Sequence, residues 1–152
     1  MAKTNAVRIL DQEQIPYRLI TYTYDPDNLD VAKIATDNGL SLGQVFKTLV
    51  CKGEQTGPFM CVIGGDEHLD LKHAAQTSGN KKVALVAVKE LLALTGYLRG
   101  GCSPLGTKKA LPIYLSRKAL SYDEILINAG KRGVLFGANP QSLQTTFGWT
   151  LF

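Results

Sequence analysis

A chain of 152 residues suits one domain and is long enough to bury a substantial core. Its 45% hydrophobic and 20% charged content excludes a disordered or fibrous chain, and no apolar run approaches the roughly 20 residues that cross a bilayer. A net charge of +4 tolerates a polyanionic partner without requiring one, and basic pairs recur at Lys81-Lys82, Lys108-Lys109, Arg117-Lys118 and Lys131-Arg132.

In chain order, Ala6, Ile9, Leu10 and Glu13 follow helical spacing behind a Thr4 or Asn5 cap, and Pro16 closes that helix. Residues 17–24 are rich in tyrosine, threonine and branched side chains and predict a strand, ended by the turn former Asp25-Pro26-Asp27-Asn28. A second helix fits residues 30–38, with Val31, Ile34 and Ala35 on one face and Gly39 as terminator. Ser41 to Gln44 has capping-box spacing and predicts one helical turn. Residues 45–52 and 58–64 predict a hairpin across Gly53 and Gly57; residues 66–78 predict a helix carrying Leu69, Leu71 and Ala75. A strand over 83–86 and a helix over 89–95 stopped by Gly96 come next. Three strands follow, over 112–116, 124–128 and 134–136. A last helix is capped by Asn139, with Pro140 at its first position and Gly148 beyond its end, and residues 149–152 read as a terminal strand. Paired strands mixed with helices predict a mixed α/β (α+β) domain, one unit without repeat or linker.

Two segments can carry chemistry. The first runs from Thr95 to Gly106 and holds Gly100-Gly101-Cys102-Ser103-Pro104. Adjacent glycines let the backbone approach a ligand, free N–H groups in such a turn can hold an anion or oxyanion, and proline stiffens the exit. A plain helix-to-strand turn fits the same residues. The Gly-Lys-Ser/Thr ending of a phosphate loop is absent. The second is Lys47, inside the otherwise buriable strand Val45-Phe46-Lys47-Thr48-Leu49-Val50. Lysine is rarely buried unless paired or used, so it is either an edge-strand charge facing solvent or an ammonium held near a phosphate or carbonyl oxygen.

Other candidates are weaker. Cys102 has no histidine near it in sequence, so it reads as a packing residue before a nucleophile. The odd set Cys51, Cys61 and Cys102 suits reduced thiols and a cytoplasmic setting, and the segment from Met1 to Asn5 predicts no secretory signal. His68 and His73 lack zinc-motif spacing, and no metal or cofactor is expected. Asp66-Glu67 and Asp123-Glu124 read as helix-start and loop acids.

Taken together, Lys3-Thr4-Asn5-Ala6, Ile15-Pro16-Tyr17, Phe46-Lys47-Thr48-Leu49, the run from Thr95-Gly96-Tyr97 to Gly106, and Gly130-Lys131-Arg132-Gly133 resemble the YbaK family over nearly the whole chain. These are aminoacyl-tRNA deacylases related to the editing insertion of bacterial prolyl-tRNA synthetase. The resemblance implies a compact domain with a mixed, partly barrel-like sheet flanked by helices. It implies hydrolysis of the ester on mischarged tRNA, typically cysteine on the proline tRNA, and a link to prolyl-tRNA synthetase. Carried over by motif, Lys47 and Gly101 are the catalytic residues, and Tyr22, Thr48, Gly100, Cys102, Ser103 and Pro104 hold the substrate. Cysteine-specific members carry an acid shortly after the Gly-Lys-Arg-Gly segment, and residues 134–138 here have none. Removal of alanine or another small amino acid, or a tRNA-binding module without turnover, are the alternatives.

Overall fold

The computed structural model describes residues 3–152; Met1 and Ala2, which open the segment read as lacking a leader, lie outside them. The first helix, α1 (Asn5–Gln12), takes Thr4, one of the two caps the sequence offered: Thr4 Oγ1 accepts from the Val7 N–H at 3.2 Å. The same hydroxyl donates to the Ala129 carbonyl at 2.5 Å, tying the helix start to the sheet. Its face Ala6, Val7 and Leu10 is fully buried against Ile127, Val134 and Phe136. Burying side chains such as Leu10 and Phe136 stabilises by roughly 1.5–3 kcal/mol each.

The strand expected over 17–24 is confined to β1 (Arg18–Thr21). It is followed by α2 (Val31–Asp37), a 3-10 turn over Leu42–Gln44, and the hairpin β2 (Val45–Gly53) and β3 (Gly57–Gly64). The helix expected from residue 66 starts only at α3 (Leu71–Ser78), where Asp70 accepts from Lys72 and His73 N–H groups. Residues 66–70 are loop because Glu67 is otherwise engaged: its carboxylate accepts from the Gly64 N–H at 2.6 Å and from the Ser116 hydroxyl at 2.9 Å.

β4 (Val83–Leu85), α4 (Val88–Thr95) and β5 (Ile113–Leu115) follow, then an unanticipated 3-10 segment, Arg117–Ser121. The chain ends with β6 (Ile125–Lys131), β7 (Val134–Ala138), α5 (Pro140–Phe147) and β8 (Thr150–Leu151). Asn139 caps α5 through the Ser142 N–H, and Gly148 leaves it at φ 66°, as the sequence indicated.

All eight strands join one mixed sheet in the order β1-β7-β6-β2-β3-β5-β8, with β4 branching from β2. This is the mixed α/β architecture expected. β2 is the strand that organises it. β3 runs antiparallel along its whole length on one side. On the other side β6 pairs parallel at Val45 and Phe46, and β4 pairs antiparallel from Cys51 to Gly53. Between those two partners, on the side away from β3, residues 47–50 of β2 meet no strand. Lys47 therefore lies in the middle of the sheet, yet beside a local open edge.

Candidate active site

The gap in the sheet is a cavity of about 420 Å³, within the usual size of a small-ligand site. Its floor is an apolar cluster of Tyr22, Ile34, Val45 and Leu135, which α2 presses onto β6 and β7. Lys47 and Thr48 enter from β2, Val88 and Leu91 from α4, and Gly100 and Cys102 from the loop after α4.

Hydrogen-bond parity along β2 fixes what its open edge offers. The Gly65 N–H donates to the Val45 carbonyl at 2.7 Å on the β3 side, and the Val86 N–H donates to the Val50 carbonyl at 3.0 Å on the other. In an antiparallel ladder a residue turns both its N–H and C=O to the same side, alternating along the strand. Thr48, in phase with Val50, thus directs its main-chain N–H and C=O into the gap. Its Oγ1 is also buried with no hydrogen-bond partner among the described residues. A buried, unsatisfied hydroxyl costs about 1–3 kcal/mol, which a ligand atom would recover.

Lys47 is half-buried and makes no ion pair or hydrogen bond among the described residues. Its ammonium is available to whatever enters.

The glycine-rich loop is preset. The Gly101 N–H donates to the Leu98 carbonyl at 2.9 Å and Gly100 sits at φ 81°, a type II turn that requires glycine at its third position. Three contacts from the β6–β7 hairpin hold it. Asn128 Nδ2 donates to the Gly100 carbonyl at 2.8 Å, Arg132 Nε donates to the Arg99 carbonyl at 2.8 Å, and Gly101 backs so closely on Arg132 that a Cβ there would lie 3.1 Å from its nitrogen.

Of the residues expected at the site, Tyr22, Lys47, Thr48, Gly100 and Cys102 are brought together. Gly101, Ser103 and Pro104 stand behind the loop. The Gly101 N–H is already used to close the turn, and Ser103 and Pro104 are buried, with Ser103 Oγ accepting from the Leu105 N–H at 3.3 Å. The N–H groups of Gly100 and Cys102, by contrast, have no protein partner among the described residues, and both residues line the cavity.

Tyr22 is buried to 8% exposure, and burial raises its phenol above the ordinary range. Its hydroxyl accepts from Asn128 Nδ2 at 3.3 Å. Asn128 went unnoticed in the sequence, yet it links three parts of the site: its Oδ1 also accepts from the Gly130 and Lys131 N–H groups at 2.7 and 3.1 Å. The signal was there. Asparagine is depleted in strands, and this one interrupts Ile125-Leu126-Ile127.

Burial pushes the Cys102 thiol up to about 11, so it is neutral at physiological pH and a poor nucleophile. Cys102→Ala is therefore expected to keep turnover within a few-fold of the parent, measured as ester loss over time. Iodoacetamide should label Cys102 slowly at pH 7 and speed up only as the pH approaches that value. Among the described residues no group of three His, Cys, Asp or Glu could hold a metal ion, and His73 instead stacks on Phe152 at 5.4 Å.

An ammonium, unpaired main-chain donors and an orphaned hydroxyl thus stand around an apolar floor, with no Ser–His–Asp or Cys–His pair among the described residues. The chain belongs to the aminoacyl-tRNA editing domain family, whose model matches residues 25–146. It is 45% identical over 141 residues to the "Putative Cys-tRNA(Pro)/Cys-tRNA(Cys) deacylase EbsC" of Enterococcus faecalis (strain ATCC 700802 / V583), covering 93% of this chain and 86% of that protein. A crystal structure described as "a putative trans-editing enzyme for prolyl tRNA synthetase" superposes with TM-score 0.81 at 26% identity, covering 100% of this chain and 97% of that one. The hypothetical protein APE2540 shares the fold at TM-score 0.87 and 24% identity, over 97% of each chain. No helix among the described residues is long and apolar enough to cross a membrane.

Proposed function

We propose that the protein hydrolyses, in trans, the ester joining a wrong amino acid to tRNA, with cysteine on the proline tRNA as the leading substrate. The observation that carries this is the set of unpartnered donors on residues that line one cavity: the N–H groups of Gly100 and Cys102, together with Thr48 and Lys47. Placed there, the ester carbonyl oxygen meets two N–H donors that stabilise negative charge as it develops. Lys47 holds the ribose or terminal phosphate oxygens as a point charge. Asp30 contributes the one acidic side chain among the lining residues; it makes no cap hydrogen bond to α2 and is available to the substrate's α-ammonium.

Resemblance to the YbaK family suggests the route for cysteine. The substrate's thiol attacks its own carbonyl carbon; the new C–S bond forms as the C–O bond to ribose breaks, the ribose oxygen takes up the thiol proton, and water then opens the released β-thiolactone to free cysteine. A smaller residue such as alanine would need a positioned water. The relatives' printed names favour the proline tRNA and a link to prolyl-tRNA synthetase, in the cytoplasm where charged tRNA is used.

The test is a panel of Cys-, Ala- and Pro-charged tRNAs mixed with pure protein, following ester loss. The expected result is rapid loss of Cys-tRNA(Pro) and sparing of Pro-tRNA(Pro). No loss above buffer on any mischarged tRNA would overturn the proposal. The lack of an acid in residues 134–138, all of β7, motivates a second reading, a tRNA-binding module without turnover. Salt-sensitive tRNA binding with stable esters would favour it.

A further inference from the structure

A second groove of about 850 Å³ adjoins the cavity, running between the start of α3, β4 and α4. Leu85 and Val86 line both, so the groove lies directly beside the site. Its rim carries Lys52, Lys72, Lys81 and Lys82, all exposed, and none of them pairs with an acid among the described residues. Of its two acids, Glu54 is already engaged, accepting from the Lys81 N–H at 2.8 Å. Between the charges lie bare apolar side chains, Leu71 at 40% and Leu85 at 54% exposure.

Unpaired ammonium groups around an apolar trough match the chemistry of an unpaired RNA strand. Its phosphates meet the lysines, and its ribose and base faces cover the leucines. A duplex would offer phosphates and leave Leu71 and Leu85 in water. An acidic protein segment would offer charge without flat apolar faces.

We propose that this groove binds the single-stranded 3′ end of the RNA whose terminal ester enters the cavity, with Lys81 and Lys82 against its phosphates. The proposal takes its ligand from the deacylase reading and adds where the polynucleotide runs. Both lysines hold the structure only through main-chain atoms, at Lys81 N and Lys82 O, so their side chains can be removed without unfolding the chain.

The probe is an uncharged RNA hairpin ending in four unpaired nucleotides, followed by fluorescence anisotropy from low to high salt. For Lys81→Ala/Lys82→Ala the expected result is a Kd raised roughly tenfold or more at low salt. The slope of log Kd against log salt should shrink by about 1.4, two single-strand phosphate contacts at ~0.7 each. Arg117→Ala/Lys118→Ala removes the same charge elsewhere and is expected to leave Kd and slope near the parent's. An unchanged Kd in the Lys81/Lys82 pair, an equal loss in the control pair, or equal competition by polyglutamate would each overturn the proposal. RNA binding lost in the Lys81/Lys82 pair supports the groove even if the parent cleaves no ester, an outcome that would overturn the deacylase reading alone.

Discussion

Lys47→Ala is expected to lower kcat/KM on a mischarged tRNA by about 10²–10³-fold, the scale of losing one preorganised charge-stabilising group. The fold should survive it. Lys47 has no ion pair or hydrogen bond to lose among the described residues, and its Cα partner across the ladder, Ile63, keeps its place through main-chain bonds. Thermal unfolding should therefore shift by less than about 1 kcal/mol, chiefly from the missing aliphatic stem. Lys47→Met retains that stem and removes only the charge, so it should match alanine in turnover and the parent in stability. Lys47→Arg restores charge in a planar fork of different reach and should recover part of the rate. Retained turnover in Lys47→Met would remove the ammonium from the chemistry.

Why Lys47 was ambiguous in the sequence is a matter of range. Alternation along one strand tells which residues share a face, and Phe46 and Val50 do join buried clusters as that pattern implies. It does not tell which strands lie on either edge. The gap at residues 47–50 exists only because β6 leaves β2 after Phe46 and β4 joins it at Cys51, the first pairing reaching about half the chain away, to Leu126, and the second about a fifth, to Leu85. Local signals did better. The Thr4 and Asn139 caps, the hairpin across Gly53 and Gly57, and the Gly96 and Gly148 stops are all written in neighbouring residues, and the structure uses each of them.

The glycine-rich loop falls between these cases. That the Gly100-Gly101 pair can take a backbone closed to other residues was readable; which glycine does so, and which N–H groups stay free, was not. That depends on the turn bond from Gly101 to Leu98. The turn moves the available donors to Gly100 and Cys102 and leaves Gly101 as the residue that closes the turn and seats it on Arg132.

The placement of those donors hangs on Asn128, and its replacement is the second large effect expected. Asn128→Ala removes the bonds to the Gly100 carbonyl, the Tyr22 hydroxyl, and the Gly130 and Lys131 N–H groups. The site is half-buried, so water recovers part of the loss, and the expected cost is about 1–3 kcal/mol, seen as a lower Tm. Turnover should fall by one to two orders of magnitude, on the order of 10–100-fold in kcat with a smaller change in KM, because the loop shifts relative to the carbonyl it must hold. Asn128→Asp separates positioning from stability. Its carboxylate still accepts from Gly130 and Lys131, so Tm should fall less than in Asn128→Ala. Toward Gly100, however, an oxygen replaces the donor, and two acceptors face each other where 2.8 Å once separated donor from acceptor. The kcat should then fall about as far as in Asn128→Ala. Protonating that carboxyl restores one O–H donor, so the defect should shrink as the pH is lowered and widen as it rises. A pH-independent defect, or a kcat that simply follows Tm across both variants, would reduce Asn128 to a structural residue.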